Sequence, residues 1–249
     1  MASALGLHAL PGLKMVAPGD DLAALLGDAM PLPPRDGDVL VVAQKIVSKA
    51  EGRLVALDSV QPSARAVALG AEIGKAPRIV EVILGESVRV VRSRPNLLIV
   101  EHRRGWVMAN AGVDQSNIGG TGQVLLLPDN PNASAERLRA ALSARFGVKL
   151  AVVINDSFGR AWRRGTAGIA IGAAGLPALV DLRGKPDLFG RILEVSIIGF
   201  ADEIAAAASL LMGQAAEGQP AVLVRGLDWS APDSDASALV RPAAEDLFR

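Results

Sequence analysis

The chain has no cysteine and no tyrosine, and two of its 249 residues are histidine. Without thiols there can be no disulfide, no thiolate zinc site and no cysteine nucleophile, which suits a reducing compartment. The two histidines, His8 and His102, leave little room for a histidine metal centre or a Ser/His/Asp triad. His102 precedes Arg103-Arg104-Gly105 and is expected in a solvent-facing hairpin turn. Aromatic residues are 3% of the chain and hydrophobic residues 50%, so the predicted interior is aliphatic. There is no excess charge of either sign: 26 Lys+Arg stand against 26 Asp+Glu. Such a chain has no global field toward nucleic acid or a membrane, so any attraction for an anion must be local. Long apolar runs are missing too, since the stretch 168–180 is short of a membrane span and broken by Pro177. The N-terminus lacks the basic region and apolar core of a leader. Asn132-Ala133-Ser134 has the form of a glycosylation sequon, which without secretion is a chance match. A soluble cytoplasmic protein is expected.

A chain of this length buries a substantial core, as one body or as two lobes. Strands are predicted at 39–43, 88–91, 97–100, 106–108, 124–127, 150–154, 193–198 and 221–225, from apolar runs rich in β-branched residues. Helices are predicted at 21–26, at 64–73 with Ser63 as cap and Gly74 and Pro77 as stop, and at 202–212 ending at Gly213. Ser134 is read as the cap of a further helix whose apolar face carries Leu138, Leu142 and Phe146, with Gly147 at its end. Strands and helices interleave without a regular βαβ beat, and several strands are joined as hairpins. That pattern favours a mixed α+β fold of helices and largely antiparallel sheets over a doubly wound one. No repeat or linker divides the chain, so residues 1–249 read as one unit.

Familiar nucleotide motifs are absent. The stretch 70–76 approaches a phosphate-binding loop but is a residue short and lacks the Ser/Thr that would hold magnesium. Gly168, Gly172 and Gly175 do not have dinucleotide spacing. Three polar segments carry chemistry instead. Asn155-Asp156-Ser157-Phe158-Gly159-Arg160-Ala161-Trp162-Arg163-Arg164-Gly165 follows a buried strand, and an aspartate at such a strand's end is costly unless paired or metal-bound. The loop 110–122 offers Asp114 and Asn117 among glycines; an ordinary Asx turn is the competing reading. Lys45 and Lys49 lie four apart and share a face if helical, where they could meet phosphates; otherwise they are solvated lysines. Two aspartates and a hydroxyl suit magnesium or manganese, and nearby guanidinium forks suit a phosphorylated ligand. A grip on substrate phosphate or carboxylate is the expected use of Arg160, Arg163 or Arg164.

These segments carry a resemblance. Gly12-Leu13, Gly19-Asp20-Asp21-Leu22, 46–53, Asn110 to Asn117, the Asn155 segment, 201–205, Leu211-Met212-Gly213 and Val224-Arg225-Gly226 are similar, in order, to blocks of the coenzyme F420-0:L-glutamate ligases. The resemblance implies a GTP-dependent ligase joining the α-amine of L-glutamate to the lactyl carboxylate of the deazaflavin precursor F420-0, with further γ-linked glutamates in some members. It also implies two divalent metal ions, potassium stimulation, and an intertwined homodimer with the nucleotide at the subunit interface. By position, Asp114 and Asp156 would hold the first metal, with Ser157 and Gln214 near the second. Leu13, Lys14, Met15, Val16, Gln44, Lys45, Lys49, Asn117, Met212, Gly213, Gln214, Ala215, Ala216, Glu217, Gly218 and Gln219 would line the GTP site. Asp156, Arg160 and Lys49 are the expected catalytic residues. Relatives commonly have Thr at Ser157, which keeps the hydroxyl, and Glu at Gln214, where a neutral amide is a poorer metal ligand. No nitroreductase-like domain is expected. The competing readings are another metal-dependent nucleotide enzyme and a non-catalytic nucleotide-binding protein.

Overall fold

The computed structural model describes residues 4–247. Residues 1–3, where the segment read as lacking a leader begins, and 248–249 lie outside the described residues. In chain order the elements are β1 (Gly6–Ala9), α1 (Leu22–Asp28), β2 (Val39–Ala43), α2 (Gln44–Ala50), β3 (Leu54–Ala56), α3 (Ala64–Ile73), α4 (Pro77–Gly85), β4 (Ser87–Arg94), β5 (Leu97–His102) and β6 (Val107–Ala109). They continue with β7 (Gln123–Leu125), α5 (Pro131–Phe146), β8 (Ala151–Arg160), β9 (Arg163–Ala174), β10 (Val180–Asp181), β11 (Ile197–Ile198), α6 (Phe200–Met212) and β12 (Ala221–Arg225).

The main sheet has the order β1-β12-β2-β8-β9, and of its four neighbouring pairs only β2 with β8 is parallel. The mixed α+β fold read from the sequence is the one observed. β2 and β12 are covered on both faces, which is why they read as continuous apolar runs rather than alternating ones. On one face Leu40, Val42, Val152, Ile154 and Leu223 pack with Leu26 of α1 and Leu138 and Leu142 of α5. On the other, Val39, Val41, Val153, Val222 and Val224 meet Ala201, Ile204, Ala205 and Ala208 of α6. Each fully buried aliphatic side chain contributes about 1.5–3 kcal/mol. A third core lies between α3, α4 and the β4-β5-β6 sheet, built on Ile73, Val80, Ile83, Leu98 and Val100. Small residues let helices approach the sheet: a Cβ on Gly172 of β9 would stand 2.5 Å from the Pro131 carbonyl oxygen of α5. Among the described residues no helix is long and apolar enough to cross a membrane.

Several elements differ from the sequence expectation. Pro77 does not merely stop α3; it occupies the first turn of α4, where its missing N–H costs nothing. Asn130, not Ser134, caps α5 by accepting from Ala133 N at 3.2 Å, and Ser134 lies inside the helix, bonded back to Asn130 O at 3.0 Å. The predicted strand 193–198 shrinks to Ile197–Ile198. His102 is not a solvent-facing turn residue: it is 1% exposed, its Nδ1 accepts from Arg104 N at 3.1 Å, and its ring lies 5.1 Å from that of Trp106.

The largest difference concerns residues 155–165. The strand does not end at Ile154 but runs to Arg160, turns at Ala161 and Trp162, and returns as β9. A register shift between Ile154 and Asn155 lies immediately before Asp156, and such bulges re-aim side chains. The carboxylate therefore stands on an extended hairpin rather than in a loop.

Candidate active site

Parallel pairing places Ala43 of β2 opposite Asn155 of β8. The next residues are Gln44, which starts α2, and Asp156, so a helix and a carboxylate leave the sheet side by side. Beyond them opens a cleft of about 500 Å³, closed by residues 13–16 on one side and 212–220 on the other.

Lys45 and Lys49 are four positions apart, so both face the cleft from α2. Lys45 Nζ lies 2.7 Å from Asp114 Oδ2 and donates to Ser116 Oγ at 2.6 Å. Lys49 is 6% exposed and donates to Asn117 O at 2.7 Å. Burial pushes its ammonium below the usual lysine range, and the charge of Lys45 adds to that. Asn117, in left-handed backbone with φ 57, extends its side-chain amide to Ala215 O at 3.1 Å. The glycine-bearing loop is thereby tied to both α2 and the segment after α6.

The two aspartates are in different electrostatic states. Burial pushes the Asp114 carboxyl up, but hydrogen bonds from Lys45 and Ser116 outweigh it and hold the group below its usual range. Asp156 is pushed up to about 6, chiefly by burial; the Ser157 N–H opposes this, the Asp114 charge adds to it and Lys45 lowers it. Beside it Ser157 Oγ donates to Gln214 Oε1 at 2.8 Å. Behind it Asn155, 5% exposed, donates to Ser209 Oγ at 2.9 Å, while its Oδ1 has no partner.

Among the described residues no group of three or more His, Asp or Glu side chains is placed to hold a metal ion. The donor set at the cleft is two carboxylates, a hydroxyl and an amide oxygen. Hard cations that keep water or phosphate oxygens in their remaining positions fit such a set. The carboxylates repel one another with only Lys45 between them, which is a place for added positive charge. The oxygens of Ser157 and Gln214 are neutral and fit a second ion less well.

A larger depression, of about 680 Å³, lies between α5 and residues 233–237. Its arginines are already engaged, Arg139 with Glu136 at 2.6 Å and Arg104 with the Asp129 carbonyl. The cleft at α2 differs in holding a buried ammonium, that of Lys49.

Comparison with known proteins gives the family. The sequence pattern of the F420-0:gamma-glutamyl ligase family matches residues 12–226. The chain belongs to this family. It is 46% identical over 98% of its length to the coenzyme F420:L-glutamate ligase of Methanopyrus kandleri, covering 98% of that protein. Identity to the protein of the same name from Methanothermobacter thermautotrophicus is 43%, covering 98% of this chain and 99% of the relative. For that of Archaeoglobus fulgidus it is 44%, covering 96% and 94%.

Every residue that family likeness assigned to a nucleotide borders the cleft: Leu13, Lys14, Met15, Val16, Gln44, Lys45, Lys49, Asn117 and the run from Met212 to Gln219. Asp156 and Ser157 border it as well, and Asp114 adjoins it through Lys45. Arg160, Arg163 and Arg164 do not; they stand at the far end of the β8–β9 hairpin, with Arg160 Nη2 donating to Arg164 O at 3.3 Å. Asn155, Ser209 and Gly119 also line the cleft and were not anticipated. Asn155 offered a signal, a polar residue directly after five apolar ones. Ser209, in an alanine-rich helix, offered none.

Proposed function

We propose that the chain catalyses amide formation between the α-amine of L-glutamate and the lactyl carboxylate of F420-0, driven by GTP, in the synthesis of coenzyme F420. The observation that carries this reading is the convergence of Lys45, Lys49, Asp156 and Ser157 on one cleft in a member of this ligase family. The relatives' name, coenzyme F420:L-glutamate ligase, supports the two substrates.

A carboxylate does not react with an amine at neutral pH. Transfer of the γ-phosphoryl group to a carboxylate oxygen would give an acyl phosphate and GDP. Attack by the glutamate amine would then form the amide, releasing phosphate and a proton. The ammoniums of Lys45 and Lys49 would offset charge on the nucleotide phosphates. Lys49 is held in place by Asn117 O before any ligand arrives, so little ordering remains for it on binding. Asp156, raised only to about 6, is largely ionised at pH 7. Magnesium or manganese would be held by Asp114 and Asp156, with Ser157 and Gln214 for a second ion, and would neutralise phosphoryl oxygens. Potassium stimulation belongs to the same proposal, without an assigned residue.

Incubation with GTP, glutamate, F420-0 and a divalent cation tests this reading. A product heavier by one glutamyl unit, with stoichiometric GDP, is expected. GTP hydrolysis without a mass gain would point to another nucleotide enzyme, and binding without turnover to a non-catalytic protein.

A homodimer is part of the proposal. Leu188, Phe189, Ile192 and Val195, between β10 and β11, are all exposed, and a second copy would cover them. Light scattering should give twice the monomer mass; a monomer at micromolar concentration would count against it.

A further inference from the structure

The tip of the β8–β9 hairpin sets an exposed tryptophan among exposed arginines. Trp162 is 87% exposed and in left-handed backbone, φ 64, a conformation unfavourable for a bulky side chain. The other two tryptophans have ring partners, Trp106 with Phe158 and Trp229 with Phe200, whereas Trp162 stacks on no ring among the described residues. Around it stand Arg160, Arg163 and Arg164. Several exposed arginines elsewhere are paired with carboxylates, as Arg103 with Asp129, Arg145 with Asp28 and Arg183 with Asp181. Among the described residues no carboxylate pairs with the three tip arginines, and the one hydrogen bond there runs from Arg160 to the Arg164 carbonyl. Three exposed guanidiniums with no carboxylate partner among the described residues thus stand beside a bare indole, a combination suited to a ligand that is both anionic and aromatic.

The tip is mechanically continuous with the cleft. Strand β8 carries Asp156 and Ser157 into the cleft and Arg160 to the turn, a distance of about 13 Å at strand rise. A ligand whose reacting carboxylate lies at Asp156 therefore reaches the tip if it is long, with its anionic and aromatic parts remote from the reacting end.

We propose that this tip docks the acceptor substrate, with Trp162 stacking on its aromatic ring system and Arg163 and Arg164 binding its phosphate. This rests on the acceptor being F420-0, as in the preceding section. The two statements separate experimentally, because acceptor binding can be measured without nucleotide or turnover. Trp162 thus sets affinity for the acceptor and has no part in phosphoryl transfer.

The test uses Trp162→Asn, which tolerates the left-handed backbone and so removes the ring without straining the turn. Equilibrium binding of F420-0 to the metal-loaded protein should weaken about tenfold or more. The acceptor KM should rise in parallel, with kcat and the GTP KM unchanged. Trp162→Phe should recover most of the affinity, and Arg163→Gln with Arg164→Gln should weaken binding independently. Unchanged acceptor affinity in Trp162→Asn would overturn the proposal. So would a loss of kcat at constant KM, or a change in oligomeric mass with normal affinity. If the native protein binds F420-0 through the tip but adds no glutamate, the docking assignment stands and the ligase reading falls.

Discussion

Ser157 Oγ donates to Gln214 Oε1 at 2.8 Å, joining the strand that carries Asp156 to the segment after α6. Both partners are neutral, so this corner adds geometry to the cleft but no charge. Gln214→Glu places a third carboxylate there without changing length. The divalent-cation concentration giving half-maximal thermal stabilisation should fall by roughly tenfold. No change, or weaker cation binding, would show that this corner does not face the ion.

Asp156 is predicted to cost stability in the metal-free protein. Its carboxyl is raised to about 6 from a usual 3.8, so the folded state holds the proton more tightly than the unfolded one. The penalty is absent below pH 4, grows between pH 4 and 6, and is fully present above that. Asp156→Asn should be more stable than the native chain at pH 7.5 in chelator, by about 1–2 kcal/mol, and equal to it near pH 4. Urea unfolding at both pH values measures this. Added magnesium should stabilise the native protein and not the variant, whose GDP release should be lost. A variant destabilised at pH 7.5 would contradict the account.

Lys49→Met keeps the buried stem and removes the charge. Asn117 O loses its donor, at about 1 kcal/mol of stability. Calorimetry should show GTP binding at least about tenfold weaker, since a charge-assisted contact to phosphate is lost. Unaltered GTP affinity would exclude Lys49 from the nucleotide.

A Cβ on Gly168 would lie 2.1 Å from Ser209 Oγ and 2.7 Å from both Ala205 O and Asn155 Oδ1. Gly168→Ala should therefore push α6 from β9, lowering stability by about 1–3 kcal/mol and raising the GTP KM. Retention of native melting temperature would mean that α6 yields freely.

Much of this architecture was legible in residue pattern. The doubly covered β2 and β12 announce themselves as β-branched runs, and Gly74 and Gly147 mark helix ends because both take left-handed backbone. Proline is less decisive: Pro77 stops one helix and opens the next, and only packing selects which. Residues 155–165 were opaque because polar side chains look the same on an extended hairpin as in a loop. The cleft was legible in a different way. Spacing alone left Lys45 and Lys49 as solvated or ligand-binding, and the lining of residues 13–16 and 212–219 came from likeness to a family. No local pattern indicates that segments two hundred residues apart will face one another.

The strand order β1-β12-β2 has a consequence for synthesis. Strand β12 fills the space between β1 and β2, so those two remain unpaired along the facing edges until residues 221–225 emerge. The lysines of α2 hang from β2 throughout this wait, and the cleft wall at residues 212–220 arrives only moments before β12. Neither nucleotide nor cation can template the early folding of this chain, because the surface that would receive them does not yet exist. Hydrophobic edges held open for most of translation make this topology slow to close and dependent on protection from aggregation.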